Sequence, residues 1–291
     1  MKLSLVVIAY NMARELPRTL YSLAPVVQRG VSHQDYEVIL VDNGSDIPLD
    51  TGSCAEHYHR LLPNLRIVRV GEPTVSPVPA INEGLRLASG ELIGVMIDGA
   101  RIASPGLLAT ALEASRLHQR PVIGTLAFHL GPAVQMESVH QGYNQEVEDR
   151  LLSDIRWEED GYRLFDISVP AGSSSGGWFV IPAETNALFL TRRQWDDLGG
   201  YDPGFVTPGG GLANLDTWSR ACADPEGLVV MLLGEATFHQ VHGGVATNAL
   251  RSPWGVFHEE YKRLRGHSYT PPQVNPRFYG TFRPSMLPNP H

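Results

Sequence analysis

Residues able to bind ligands recur just beyond short apolar runs. Tyr10 and Asn11 follow Leu3 to Ala9, Asp42 and Asn43 follow Glu37 to Val41, and Asp98 follows Leu92 to Ile97. Asp, Asn, Gly and Ser are ordinary turn residues, so each cluster taken singly reads as a turn. Three clusters at the ends of neighbouring parallel strands instead converge on one crevice, where an α/β sheet holds its ligand. A further constellation, HQVHGG at 239–244, offers His239 and His242. Imidazoles ligate a divalent ion or, protonated, bond a phosphate; the alternative is a loop with two solvated histidines. His57 and His59 have no comparable setting and read as a surface helix face.

The 291 residues carry a net charge of −8 and no basic run, which disfavours a nucleic-acid partner. Apolar residues make up 43%, enough for a real core. Cys54 and Cys222 show no CxxC spacing, so neither a disulfide framework nor a structural zinc site is expected, and reduced intracellular thiols are. The apolar opening meets Asn11, Arg14 and Glu15 too early for a signal peptide, and no stretch reaches about 18 apolar residues, so a soluble protein is expected. No GxGxxG follows a strand, which argues against a Rossmann dehydrogenase.

The elements that must position these residues alternate. Short β-branched runs predict strands over 3–9, 37–41, 65–70, 92–97, 122–130, 187–191 and 228–238, the last as one strand or two. Helices are expected over 13–28, 78–89, from Ser104 and Pro105 to His118, and over 192–198 and 215–222. A last helix should run from Ser252 and Pro253 to Gly266. This is a doubly wound, mostly parallel sheet with helices on both faces. Residues 132–182 are irregular, either a lid over an acceptor or a passive excursion, and the proline-rich tail 269–291 should run extended over the surface.

Together LVVIAYN at 5–11 with Glu15, EVILVDNGSD at 37–46, INEGLRLASGELIGVMIDGA at 81–100 and NALFLTRRQWDDLGGYDPGF at 186–205 resemble the family 2 glycosyltransferases over roughly residues 1–244. The resemblance implies the GT-A fold, with a nucleotide-sugar-binding half at 1–130 and an acceptor-side and catalytic half of the same domain at 131–268. It implies that Ala9, Tyr10, Asn11, Glu15, Asp42 and Asn43 surround the nucleoside, Asp42 bonding the base. Asn82, Asp98 and Arg101 then lie near the ribose and diphosphate, and Trp178 and Asn186 on the acceptor side. The family supplies a metal through Asp-x-Asp, but the second position here is Ala100. Either Asp98 with His239 and His242 holds Mn2+ or Mg2+, or Arg101 replaces the metal. The family's Glu-Asp pair falls on Ala213 and Asn214, which leaves Asp216 as the general base, with Glu184 in reserve and a helix-stabilising role as the alternative for Asp216.

The implied activity is inverting transfer of a sugar from a nucleoside diphosphate sugar, UDP-linked, to a saccharide or lipid-linked hydroxyl in polysaccharide biosynthesis. The implied location is cytoplasmic, compatible with peripheral attachment to the inner membrane face. The rivals are a nucleotide-sugar-binding protein without turnover and a nucleotidyltransferase. The latter normally opens with a glycine-rich, arginine-containing loop where Tyr10 and Asn11 stand here.

Overall fold

Leu3–Ala9 (β1) is apolar at all but one position and buried at all seven, as a strand covered on both faces must be. The computed structural model, which describes residues 2–50, 52–243, 253–283 and 286, builds outward from it. The chain continues through α1 (Leu16–Ser22), β2 (Tyr36–Asp42), α2 (Gly52–Leu61), β3 (Leu65–Arg69), α3 (Val78–Leu87), β4 (Leu92–Met96), β5 (Arg101–Ala103) and α4 (Leu107–Ala114). There follow β6 (Pro121–Leu130), α5 (Gln135–Ser138), α6 (Gln145–Ile155), β7 (Ser168–Pro170), β8 (Ala187–Thr191) and α7 (Arg192–Leu198). The chain closes with α8 (Ala213–Cys222), β9 (Leu228–His239), α9 (Trp254–Arg265) and β10 (Arg277–Gly280).

The main path of a ten-stranded sheet runs β10-β9-β6-β8-β4-β1-β2-β3, with β5 on β9 and β7 on β6. Strands β1 to β4 are mutually parallel where they pair, as are β6, β9 and β10. Only β8, among the strands of that main path, runs against its neighbours, with Met96 opposite Ala187 and Leu92 opposite Thr191. That reversal brings the residues just before β8 to the carboxyl end of β4. Apolar side chains of α1, α2 and α4 pack on one face of the sheet and those of α3, α6, α7, α8 and α9 on the other. Among the described residues no helix is long and apolar enough to cross a membrane.

The expected strands all form. Three expectations need correction. Helix α1 stops at Ser22 instead of running to 28, because Pro25 lacks the N–H and blocks the preceding turn. Ser104 does not cap α4; its hydroxyl donates to Glu235 Oε2 at 2.5 Å, and the helix begins after Gly106. The tail does not merely cross the surface, since Arg277–Gly280 adds a parallel strand to β9 with Phe278 opposite Met231. His57 and His59 are exposed on α2, as expected. Ser252, Gly244 and the tail prolines Pro284, Pro288 and Pro290 lie outside the described residues, as does the side chain of Cys54.

Because β10 covers the edge of β9, a chain ended at Pro276 would bare a row of unpaired backbone groups. The expected outcome is a melting temperature lower by on the order of 5 °C and a greater tendency to aggregate. An unchanged melting curve would show that β10 contributes nothing.

Candidate active site

Strand register assembles the site. Parallel pairing of β6 with β9 sets His129 beside His239, and antiparallel pairing of β5 with β9 sets Arg101 opposite His239. Asp98 lies in the turn between β4 and β5, and β9 ends at His239, so His242 follows in the loop beyond. His239 Nε2 lies 2.9 Å from Asp98 Oδ2 and 3.1 Å from His242 Nε2, and His242 Nε2 lies 3.4 Å from the same carboxylate oxygen. One ligand atom from each of the three residues falls within 4.8 Å of the others.

Gln135 fixes the tautomer of His239. Its Nε2 donates to the His239 carbonyl at 2.9 Å, which turns Oε1 toward His239 Nδ1 at 2.5 Å. Nδ1 therefore carries the proton, and the bare Nε2 lone pair faces Asp98 and His242. Burial, with the charge of Arg101, pushes His239 down to about 4 against the pull of Asp98. Burial opposes charge on Asp98 as well, but His242 and His239 together hold it well below the usual carboxylate range. His242 is burdened by burial yet raised overall by Asp98. Two imidazoles and a carboxylate form a mixed nitrogen and oxygen set that fits a divalent cation, which would displace the His242 proton. Ala100 is fully buried and offers Asp98 only its N–H, to Oδ1 at 2.9 Å.

Arg101 is 8% exposed, and its Nε and Nη1 have no hydrogen-bond partner among the described residues. Asp98 and Glu184 act on its charge through space while burial works against that charge. A buried guanidinium with idle donors is costly unless an anion meets it.

Beside this cluster, the start of β8 supplies Glu184 and the buried Asn186. Glu184 Oε2 accepts a hydrogen bond from Asn214 Nδ2 at 2.9 Å, and Asn214 also bonds the Thr185 carbonyl and the Tyr201 hydroxyl. Trp178 packs among Phe128, Phe165 and Phe282. Asp216 is placed otherwise than a base requires. It is 1% exposed and accepts Arg220 Nε at 2.7 Å, Arg265 Nε at 2.6 Å and Arg265 Nη2 at 2.7 Å. Two guanidiniums occupy both of its oxygens. The cavity around this ion-pair cluster, about 440 Å³, shares no lining residue with the Asp98 cluster.

At the carboxyl end of β1, Tyr10 is 54% exposed after the fully buried Ala9. Asn11 takes a left-handed φ of 52° and exchanges hydrogen bonds with Asp46, tying the first strand end to the second. Asp42 is fully buried; it accepts the Ser45 N–H at 2.8 Å and Arg69 Nη1 at 2.8 Å, which closes its own turn. Asn43 and Arg69 line a cavity of about 220 Å³, and Asn43 Oδ1 is buried without a partner. Glu15 is 3% exposed and bonded to Arg14 and Gln145, toward α6. Asn82 has a structural role. Both ends of its amide pair with the backbone of Tyr201, at 2.8 and 2.9 Å, docking the turn after α7.

The model of glycosyl transferase family 2 matches residues 4–148, from β1 to the first turn of α6. The chain belongs to this family. None of the curated proteins compared with it matches. Among solved structures, S. aureus TarS 1–349 in complex with UDP-GlcNAc superposes with a TM-score of 0.59 at 17% identity, over 91% of this chain and 65% of that one. TarS 1–349 in complex with UDP gives 0.53 at 16% identity over 83% and 61%, and the longer TarS structure 0.55 at 15% over 83% and 37%. The chain thus spans less than two thirds of each TarS chain, and at these identities the likeness establishes the GT-A fold.

His129 went unnoticed in the sequence. Its Nδ1 accepts the Gln135 N–H at 2.9 Å, and burial, then the charges of His239 and Arg101, push it down to about 3. Folding therefore excludes a proton that the unfolded chain binds below about 6.5. His129 supports stability above that pH and withdraws it as pH falls toward 3, by up to about tenfold in the folding constant per pH unit. His129→Gln should flatten the loss of stability between pH 6 and 4, measured by denaturant titration; parallel curves for the two proteins would refute this.

Proposed function

We propose that this family 2 glycosyltransferase binds a uridine diphosphate sugar at the strand ends of residues 1–130. Residues 131–268 present a saccharide or lipid-linked acceptor hydroxyl, and transfer inverts the anomeric centre. The observation that carries this reading is Arg101, a buried cation with idle donors beside Asp98, His239 and His242. Such a site suits a diphosphate, whose negative charge grows as the bond to the sugar breaks. Binding of UDP-GlcNAc and UDP by TarS, a relative in fold, supports the choice of nucleotide.

In this reading Tyr10 stacks on the base and Asn43 offers it a hydrogen-bond acceptor. Asp98, His239 and His242 would hold Mn2+ or Mg2+, which as a Lewis acid draws charge from the diphosphate. Arg101 donates to the same anion. Glu184, rather than Asp216, takes the acceptor proton. It is held by Asn214, at one of the two positions on which the family's Glu-Asp pair falls. The acceptor oxygen then bonds the anomeric carbon while the bond to the diphosphate breaks, its electron pair leaving with the diphosphate. The rival reading, binding without turnover, is favoured by the same Asn214, since no carboxylate stands at that helix position.

UDP should raise the melting temperature, and by more with Mn2+ present. A ligand at a hundredfold excess over Kd adds about 2.7 kcal/mol. Arg101→Ala should cost most of that shift, and Asp98→Asn the part that depends on Mn2+. No shift with UDP, with or without Mn2+, would remove the donor site.

Glu184→Gln should keep the UDP shift and lose roughly 100-fold to 10,000-fold in turnover, the size of a general-base contribution. Asp216→Asn should instead lower stability by about 3 kcal/mol, because it breaks a buried ion-pair cluster. Normal turnover in Glu184→Gln would exclude it as the base, and a wild-type protein that binds UDP-sugars without transfer or hydrolysis would favour the non-catalytic reading.

A further inference from the structure

The strand ladder that fixes His239 ends with it, so something else must aim His242. That support comes from the irregular segment 132–182. Asn144 caps α6 by accepting the N–H groups of Glu146 and Val147, which places Glu148 in the first turn, facing inward. Glu148 is 0% exposed, and its Oε2 accepts the Val241 N–H at 2.7 Å and the Tyr143 hydroxyl at 3.1 Å. Its Oε1 makes no hydrogen bond among the described residues, and Arg14 Nη1 lies 3.6 Å from it. Arg14 also donates to the Val241 carbonyl at 3.5 Å and to Asp149 at 2.5 Å, so the residue preceding His242 is held on both its N–H and its carbonyl. The same segment supplies Gln135, which grips His239 at ring and carbonyl.

Burying a carboxylate with one oxygen unbonded costs stability, and its chief return here is a fixed peptide one residue before His242. We propose that Glu148 is a positioning residue: by holding the Val241 N–H it turns His242 toward Asp98 and His239. The segment 132–182 is then the outer support of the cation site, Gln135 serving one histidine and Glu148 the other. This rests on the reading of Asp98, His239 and His242 as a divalent-cation site.

The test titrates the full chain with Mn2+ and no nucleotide, reading free Mn2+ by electron paramagnetic resonance and folding by circular dichroism. Wild type should bind one Mn2+ that His242→Gln loses. Glu148→Ala should bind roughly 10-fold to 100-fold more weakly, as removal of an outer partner of a ligand does. Two further variants separate reach from charge. Glu148→Gln keeps an oxygen that can accept the Val241 N–H and should stay near wild type. Glu148→Asp keeps the charge but is too short to reach, so it should weaken binding, and this pair decides the matter even where Glu148→Ala fails to fold. Folded Glu148 variants that all bind Mn2+ like wild type would overturn the proposal. So would loss in Glu148→Gln with none in Glu148→Asp, which is the signature of charge alone. A wild-type chain that binds no Mn2+ would overturn the cation site itself, and the inference with it.

Discussion

A guanidinium buried without a partner is the constraint around which the rest of this molecule is arranged. Arg101 can be held in that state only if the chain on either side is fixed by stronger forces, and it is. Three residues of β5 pair antiparallel to the end of β9, and the Ala100 carbonyl accepts the Gln240 N–H at 2.9 Å. Behind them, α1 is tied to the same turn by the Thr19 hydroxyl on the Gly99 carbonyl at 2.6 Å. With the backbone so held, Asp98 and Arg101 cannot swing together to neutralise each other. Asp98 is engaged by two histidines instead, and the cation is left over for a ligand.

Much of this was legible because polar residues punctuated apolar runs. The strand ends at Tyr10, Asp42 and Asp98, and the two histidines of HQVHGG, stand out by type and position alone. What that pattern could not give was partners. Asn82 sits in a family-like segment, yet its amide is consumed by the Tyr201 backbone, 119 residues away. Asp216 shows its i+4 neighbour Arg220 in the sequence, but Arg265, which supplies two more bonds, lies 49 residues on. His129 lies inside an apolar run near the end of β6 rather than beyond it, so the pattern of polar residues after apolar runs does not mark it. The strand β5 is too short for any periodicity to mark, and the direction in which Arg101 points depends on it.

The acceptor side shows the same limit from the other direction. The altered Glu-Asp pair reads in sequence as a loss, since Ala213 and Asn214 cannot take a proton. In three dimensions the reversed strand β8 brings Glu184 to Asn214, so a carboxylate stands beside the position from which one was missing. The carboxylate comes from the residues just before β8 and the amide from α8. No spacing rule finds such a pairing, because the two residues are 30 apart and joined only by the fold.

Charge balance links the two sides. Relative to the family's pattern, Ala100, Ala213 and Asn214 stand where carboxylates would, while Arg101 is within electrostatic reach of both Asp98 and Glu184. Fewer carboxylates hold a divalent cation less tightly, and two neutral imidazoles replace coordination without replacing charge. In the proposed reading, a loosely held cation would neutralise less of a departing diphosphate, and the fixed guanidinium of Arg101 would make good the difference. Under that reading, substitutions that look like damage when counted one motif at a time are mutually consistent: the site would exchange metal-binding carboxylate for permanent positive charge, and would retain in Glu184 one carboxylate able to take a proton.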